Sequence, residues 1–281
     1  GLRSLFVGVQ MRYATVAGQF YSDNPEELRR QVERCFKSPI GPGEVPELKD
    51  GPRSIIGAVC PHAGFVYSGP VAAHVFNALA ADGFPETFVI IGPNHTGMGA
   101  MVAVTAEDFS MPMGVVPVDK ELAGKVVQGI ISEDILAHRG EHSLEVQLPF
   151  IQYLSPNVKI VPISMGLQDF KTAREVGEIV GKAIEGRDVV VLASTDFSHY
   201  IPQEIAERVD KLAIDQILKM DAKGLFKVVN KENISMCGYG PVIAMLVAAQ
   251  GQKSELLKYA TSGDVQPMGK VVGYAGMVVR R

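Results

Sequence analysis

The chain has 281 residues, a formal net charge of −4 at pH 7 and 47% hydrophobic residues, enough for one large α/β domain or two ordinary ones with a sizeable core. The acidic balance, with no Lys/Arg run longer than two residues, argues against nucleic-acid binding, and no apolar stretch reaches the roughly 18 residues of a membrane span. The three cysteines, Cys35, Cys60 and Cys237, are odd in number and widely spaced, which argues against a disulfide framework and for a reducing cytoplasm.

Gly1 to Gln10 lacks the long apolar core and cleavage site of a signal peptide. The expected natural start is Met11, with residues 1–10 an upstream or appended extension and 11–281 a single α/β domain. Tyr13 to Tyr21 reads as extended and aromatic. Asp23 or Asn24 caps a helix over about Glu26 to Phe36, with Pro25 in its first turn, and a Pro/Gly-rich loop follows from Ser38 to Gly51. Ile55 to Cys60 is a short apolar run that predicts a strand buried on both faces. Pro61 ends it, His62 sits at its carboxyl end, and a helical period begins after Gly69-Pro70. Thr87 to Ile91 is a second buried strand, leading into Gly92-Pro93-Asn94-His95. Met101 to Thr105 and Gly114 to Val118 read as short strands, and Lys120 to Ile131 as a helix capped by Asp119.

Leu144, Leu148 and Ile151 form one apolar stripe, so His142 or Ser143 opens a helix. Lys159 to Ile163 is a strand and Asp169 to Ile184 a helix. Asp188 to Ser194 is the strongest strand and ends in Thr195-Asp196-Phe197-Ser198-His199. Helices follow at Pro202 to Met220 and Ala222 to Val229. Cys237-Gly238-Tyr239-Gly240-Pro241 leads into an apolar helix to Ala249, and strands at Leu256 to Thr261 and Val271 to Val279 close the chain. Alternating strands and helices predict a mainly parallel or mixed sheet with helices on both faces.

His62, His95 and His199 each follow an apolar strand within a few residues. If the strands are neighbours, the rings converge on one rim, where open α/β sheets bind ligands. The plainer reading of each is a loop histidine bonded to a carbonyl. Cys237 precedes an apolar helix whose N-terminus would lower its pKa; alternatively it is a small buried hydrophobe, as Cys35 and Cys60 read. Two imidazoles and a thiolate can hold a metal with open positions. Asp196 can orient His199, a candidate general base, or a metal-bound histidine; otherwise Asp196 and Ser198 cap the next helix. Glu145 reaches the pocket or lies on a solvated face. His74 reads as a satisfied core or edge residue, His138 as a surface loop. Tyr13, Phe20, Tyr21, Phe65, Tyr67 and Tyr239 lie near Gly-rich turns and either line an apolar mouth or simply pack.

The stretches Val16-Ala17-Gly18-Gln19-Phe20-Tyr21, Pro61 to Gly69, Gly92-Pro93-Asn94-His95, Glu141-His142-Ser143-Leu144-Glu145, Ser194 to Tyr200 and Met236-Cys237-Gly238 occur in this order. With them the chain resembles the Memo family, also called AmmeMemoRadiSam system protein B. That family is similar in fold to class III extradiol dioxygenases, an α/β/α sandwich with a site at one sheet edge. The resemblance implies a metal-binding vestibule of His62, His95 and Cys237, with Asp196 and His199 close by in a tentative catalytic role and Tyr67, Asn94, His142, Glu145 and Tyr239 around the pocket. Cys237 stands where the dioxygenases have a carboxylate, which puts ring cleavage in doubt. Fe(II) is the expected metal, with Cu or Zn as alternatives, and the family name implies association with radical SAM and AMMECR-type proteins. Three functions are in play: a redox-metal protein with an unknown small-molecule or peptide ligand, a non-catalytic peptide or small-anion binding module, and a thiol hydrolase with Cys237 as nucleophile.

Overall fold

The structure, a computed structural model, describes residues 10–281. The extension assigned to residues 1–10 therefore lies, apart from Gln10, outside the described residues. The strands are β1 (Met11–Tyr13), β2 (Ile55–Cys60), β3 (Thr87–Pro93), β4 (Val102–Val104), β5 (Asp108–Met111), β6 (Gly114–Val116), β7 (Ser132–Glu133), β8 (Lys159–Met165), β9 (Val189–Ser194), β10 (His199–Ile201), β11 (Lys253–Thr261) and β12 (Val271–Arg280). Nine of them form a mixed sheet in the order β10-β12-β2-β9-β3-β8-β4-β7, with β11 also paired to β12. β1, β5 and β6 make a separate small sheet.

The centre of the wide sheet is the parallel block β2-β9-β3-β8. Its strands are largely apolar and almost wholly buried because helices cover both faces, leaving no solvated side for polar alternation. The register identifies the two layers. A Cβ on Gly57 of β2 would meet Met245 of the helix Tyr239–Ala249, whereas one on Gly276 of β12 would meet Val75 of the helix Phe65–Asp82. Gly57 lies opposite Val279, so Gly276, three residues earlier in β12, points to the other face. The two helices therefore sandwich the sheet. The helix Phe170–Ala183 backs the Tyr239 helix closely, since a Cβ on Gly177 would approach Val247 Cβ to 2.6 Å.

The helix after β2 starts at Phe65, ahead of its expected start past Pro70, with Gly64 at its N-cap and Pro70 inside its second turn. The proline removes only the N–H that would have bonded the Val66 carbonyl. Only Pro61 to Gly64 then link strand and helix, and this short loop holds His62. The Lys120 helix stops at Val126 rather than Ile131, and Gly129 (φ +55°) turns the chain beyond it. β1, β5, β7 and β10 were not expected as strands. They are two to four residues long, too short for a period-2 signal.

Candidate metal centre

β2, β9 and β3 are adjacent and parallel, with β9 inserted between two strands that precede it in sequence. That is the switch point at which the carboxyl ends of strands open a crevice. His62 leaves β2, Asp196 leaves β9 and His95 leaves β3, each two residues past its strand. Cys237 comes from the opposite end of the sequence. Its backbone N–H donates to the Asp196 carbonyl at 3.3 Å, and Gln168 Nε2 donates to its own carbonyl at 2.9 Å. The next residue must be glycine, because a Cβ on Gly238 would lie 2.5 Å from the Ser194 carbonyl oxygen. This close approach brings the sulfur over the end of β9.

One ligand atom from each of His62, His95 and Cys237 lies within 4.8 Å of the other two. His62 Nε2 is 3.3 Å from Cys237 Sγ, and the two imidazole rings meet edge to face at 5.2 Å. Each ring is held from behind. His62 Nδ1 lies 2.9 Å from Ser194 Oγ, and His95 Nδ1–H donates to Glu141 Oε1 at 2.9 Å. Glu141 also accepts the backbone N–H of His95 and that of Ser143. His62 forms the floor at 1% exposure, while the His95 side chain is 34% exposed.

The electrostatics follow from burial. Removal from water, aided by the neighbouring imidazoles His142 and His95, holds the His62 pKa well below the ordinary histidine value. Burial also opposes protonation of His95, but the Glu141 carboxylate outweighs it and raises that pKa. Burial pushes Glu141 up as well; its bonds to His95 and Ser143 win and bring it down to about 2. The Cys237 thiol is pushed up, first by burial and then by the Asp196 charge, against the Asp196 N–H that points at its sulfur. This corrects the expectation of a thiol acidified by a helix N-terminus: with no cation beside it, desolvation prevails.

Asp196 lies beside the donor atoms. Its Oδ1 accepts the His62 backbone N–H at 2.9 Å, and its Oδ2 is 3.8 Å from His62 Nε2. Burial raises its pKa. It makes no hydrogen bond to His199, and neither Asp196 nor Ser198 caps the next helix; Ser198 is bonded instead to Asp210. His199 is not one of the three donor residues that lie within 4.8 Å of one another; its Nδ1–H donates to the Ser235 carbonyl at 2.7 Å, and it stands near enough to act on the electrostatics of Asp196 and His62. Glu145 reaches neither the pocket nor solvent. It is fully buried in an ion pair with Arg12 and also accepts the Tyr21 hydroxyl at 2.6 Å. Asn94 organises its own loop, accepting from Thr96 and Gly97 and donating to the Met98 carbonyl. Tyr239 packs towards Phe226 at 6.3 Å. Tyr67 lines a cavity of about 260 Å³ whose wall includes Phe20, and Phe20 packs on His142 at 4.7 Å. His142 does stand in the pocket, stacked on His95 at 4.6 Å. His95, Glu141 and His142 also lie within ligand distance of one another, but both Glu141 oxygens already accept hydrogen bonds from His95 and Ser143. His138, expected on the surface, is buried and bonded to the Ala103 carbonyl at 2.9 Å.

Ser194 and Gln147 had no expected role. Gln147 falls on the stripe Leu144–Leu148–Ile151, and a polar residue at an apolar helical position was the available signal. Ser194 gave none, since the last residue of a strand carries no pattern.

Residues 12–278 match a family model described as Memo-like protein. A MEMO1 family protein of Methanopyrus kandleri is 48% identical over 280 residues, covering 96% of this chain and 99% of that one. Another, from Methanothermobacter thermautotrophicus, is 48% identical over 274 residues, covering 94% and 99%; a third, from Pyrobaculum aerophilum, is 44% identical, covering 97% and 100%. Among solved structures, an uncharacterised protein of Escherichia coli K12 aligns with a TM-score of 0.57 at 14% identity, over 80% of this chain and 99% of that one, a likeness of fold. No helix of the described residues is long and apolar enough to cross a membrane. With a family model spanning nearly all of its length and full-length relatives at this identity, the chain belongs to the Memo-like protein family.

Proposed function

We propose that this chain is a redox-metal protein of the cytoplasm that holds Fe(II) through His62, His95 and Cys237. One observation carries the reading: three ligand-type side chains, remote in sequence, meet within 4.8 Å. The donor set fits a metal. With Nδ1–H of His95 donated to Glu141, its free lone pair is on Nε2, and His62 Nε2 already faces the sulfur. Bound there, the ion would supply one-electron chemistry with coordination positions left for a small ligand. The protein's part is orientation, with Glu141 and Ser194 behind the rings and Asp196 holding the His62 backbone. A thiolate in the donor set also suits Cu or Zn, and association with radical SAM and AMMECR-type partners belongs to the same proposal. Metal analysis of protein purified anaerobically from its native host tests it. Stoichiometric redox metal in the wild type and its loss in Cys237→Ser is the expected result; equal metal content in both removes the reading.

The 3.3 Å contact between Cys237 Sγ and His62 Nε2 also suits a second reading, a thiol nucleophile with His62 as base. Burial weighs against it. It raises the thiol and lowers the imidazole, so the metal-free pair rests as thiol and neutral imidazole.

A further inference from the structure

We infer that Gln147 and Ser194 are positioning residues that dictate which nitrogen of His62 carries the hydrogen. The argument is a count of donors along one buried chain of hydrogen bonds. Gln147 has two amide hydrogens on Nε2. One goes to the Pro61 carbonyl at 3.0 Å and the other to Ser194 Oγ at 2.9 Å. The Pro61 carbonyl can only accept, so the amide nitrogen, not the oxygen, must face it. The Ser194 hydroxyl has a single hydrogen, and a second obligate acceptor, the Ser143 carbonyl, takes it at 2.6 Å. What remains on Ser194 Oγ towards His62 is a lone pair. The group 2.9 Å away, His62 Nδ1, must therefore be the donor. The His62 lone pair is left on Nε2, aimed at the Cys237 sulfur.

Two backbone carbonyls thus fix the polarity from both ends, and no hydroxyl or amide in the chain is free to reverse. Gln147, Ser194 and Ser143 are all buried at 1% exposure or less, so solvent does not supply an alternative donor. A further observation points the same way. Gln147 Oε1 is buried with no hydrogen-bond partner among the described residues. The amide holds this orientation although its own acceptor goes unused. The same stretch, Glu141 to Gln147, serves both histidines: its first residue orders His95 and its last orders His62.

This inference rests on the proposed metal site only for the use made of the lone pair; the tautomer itself is read without metal. In the full-length, chelator-treated and reduced protein with ¹⁵N-labelled histidine, two-bond ¹⁵N–¹H spectra report the tautomer directly. His62, assigned by loss of its signals in His62→Gln, is expected in the Nδ1–H form. Ser194→Ala should move it to the Nε2–H form, and Ser194→Thr, which keeps the hydroxyl, should restore Nδ1–H. A wild-type Nε2–H signal overturns the inference with no variant needed, and so does an unchanged signal in a folded Ser194→Ala. Fe(II) affinity then tests the consequence. A fall of about 10–100-fold in Ser194→Ala is the expected size for losing a partner behind a ligand, and an undiminished affinity overturns the positioning role. A wild type that binds no metal while holding Nδ1–H defeats the proposed function alone.

Discussion

Cys237 Sγ and His62 Nε2 stand 3.3 Å apart although 175 positions separate them in the chain. Nothing local brings them together. β2 delivers the imidazole, and the loop before the Tyr239 helix, closed onto β9 through Gly238, delivers the sulfur. Substitutions at the two ends should therefore act on one event. Cys237→Ser and His62→Ala are each expected to lower Fe(II) affinity by at least the roughly 10–100-fold seen when only a supporting partner is lost. His199→Ala should leave affinity largely unchanged, since His199 contributes no atom to the converging donor group. Anaerobic titration of the three variants measures this. A drop in His199→Ala equal to that in Cys237→Ser would mean the donor set has been misread.

Two buried glutamates four residues apart should behave oppositely. Glu141 supports His95, so Glu141→Gln, which cannot accept all three hydrogen bonds, should weaken metal binding and leave most of the stability. Glu145 pairs with Arg12 and accepts the Thr15 and Val16 backbone N–H groups. Glu145→Ala strands a buried guanidinium, for which a loss of about 3–5 kcal/mol is expected. Chemical denaturation of both variants, with metal affinity of whatever remains folded, separates the roles. A Glu145 variant as stable as the wild type would contradict the buried ion pair.

The state of the metal-free thiol is also open to measurement. Because burial and Asp196 keep Cys237 protonated, iodoacetamide at neutral pH should modify it more slowly than a free cysteine. Cys35 and Cys60 should not react while the protein is folded, since both are buried. Mass spectrometry of timed samples reads all three at once. Fast, selective alkylation of Cys237 would revive the thiol-nucleophile reading.

How much of this was legible in the sequence depended on the range of the interaction. His62 and His95 could be picked out because each follows a strand that announces itself by an unbroken apolar run. Helix starts were equally plain from caps such as Asn24 and Asp119, whose side chains accept from the helix N–H groups as expected. The failures are residues whose role is set by a distant partner. Glu145 reads as a pocket residue or a solvent-facing one until Arg12, 133 positions away, is folded against it. His199 also follows an apolar strand, but it lies beyond a non-strand stretch after β9 and opens the separate edge strand β10, which pairs with β12, and its ring bonds the Ser235 carbonyl. The two histidines differ in topology, which a single sequence does not print.

His138 gives the last expectation, and its sign follows from burial. The ring is 1% exposed, and its Nε2–H donates to the Ala103 carbonyl. Burial drops its pKa to about 4, with the Ala103 bond opposing. In the unfolded chain the same group titrates near 6.5. Between those values the unfolded state binds the extra proton, so stability rises with pH across this window. The contribution is complete above about pH 6.5 and falls progressively as pH drops to about 4. A shift of that size corresponds to about 3 kcal/mol at the acid end. His138→Gln keeps an amide donor for Ala103 and has nothing to titrate. Urea unfolding of metal-free protein at pH 7 and pH 4.5 should therefore show the wild type losing more stability than the variant, by most of that amount. Other groups contribute to the pH dependence too, but they are common to both proteins and cancel in the difference. Parallel losses in the two proteins would mean that His138 is not held neutral by the fold.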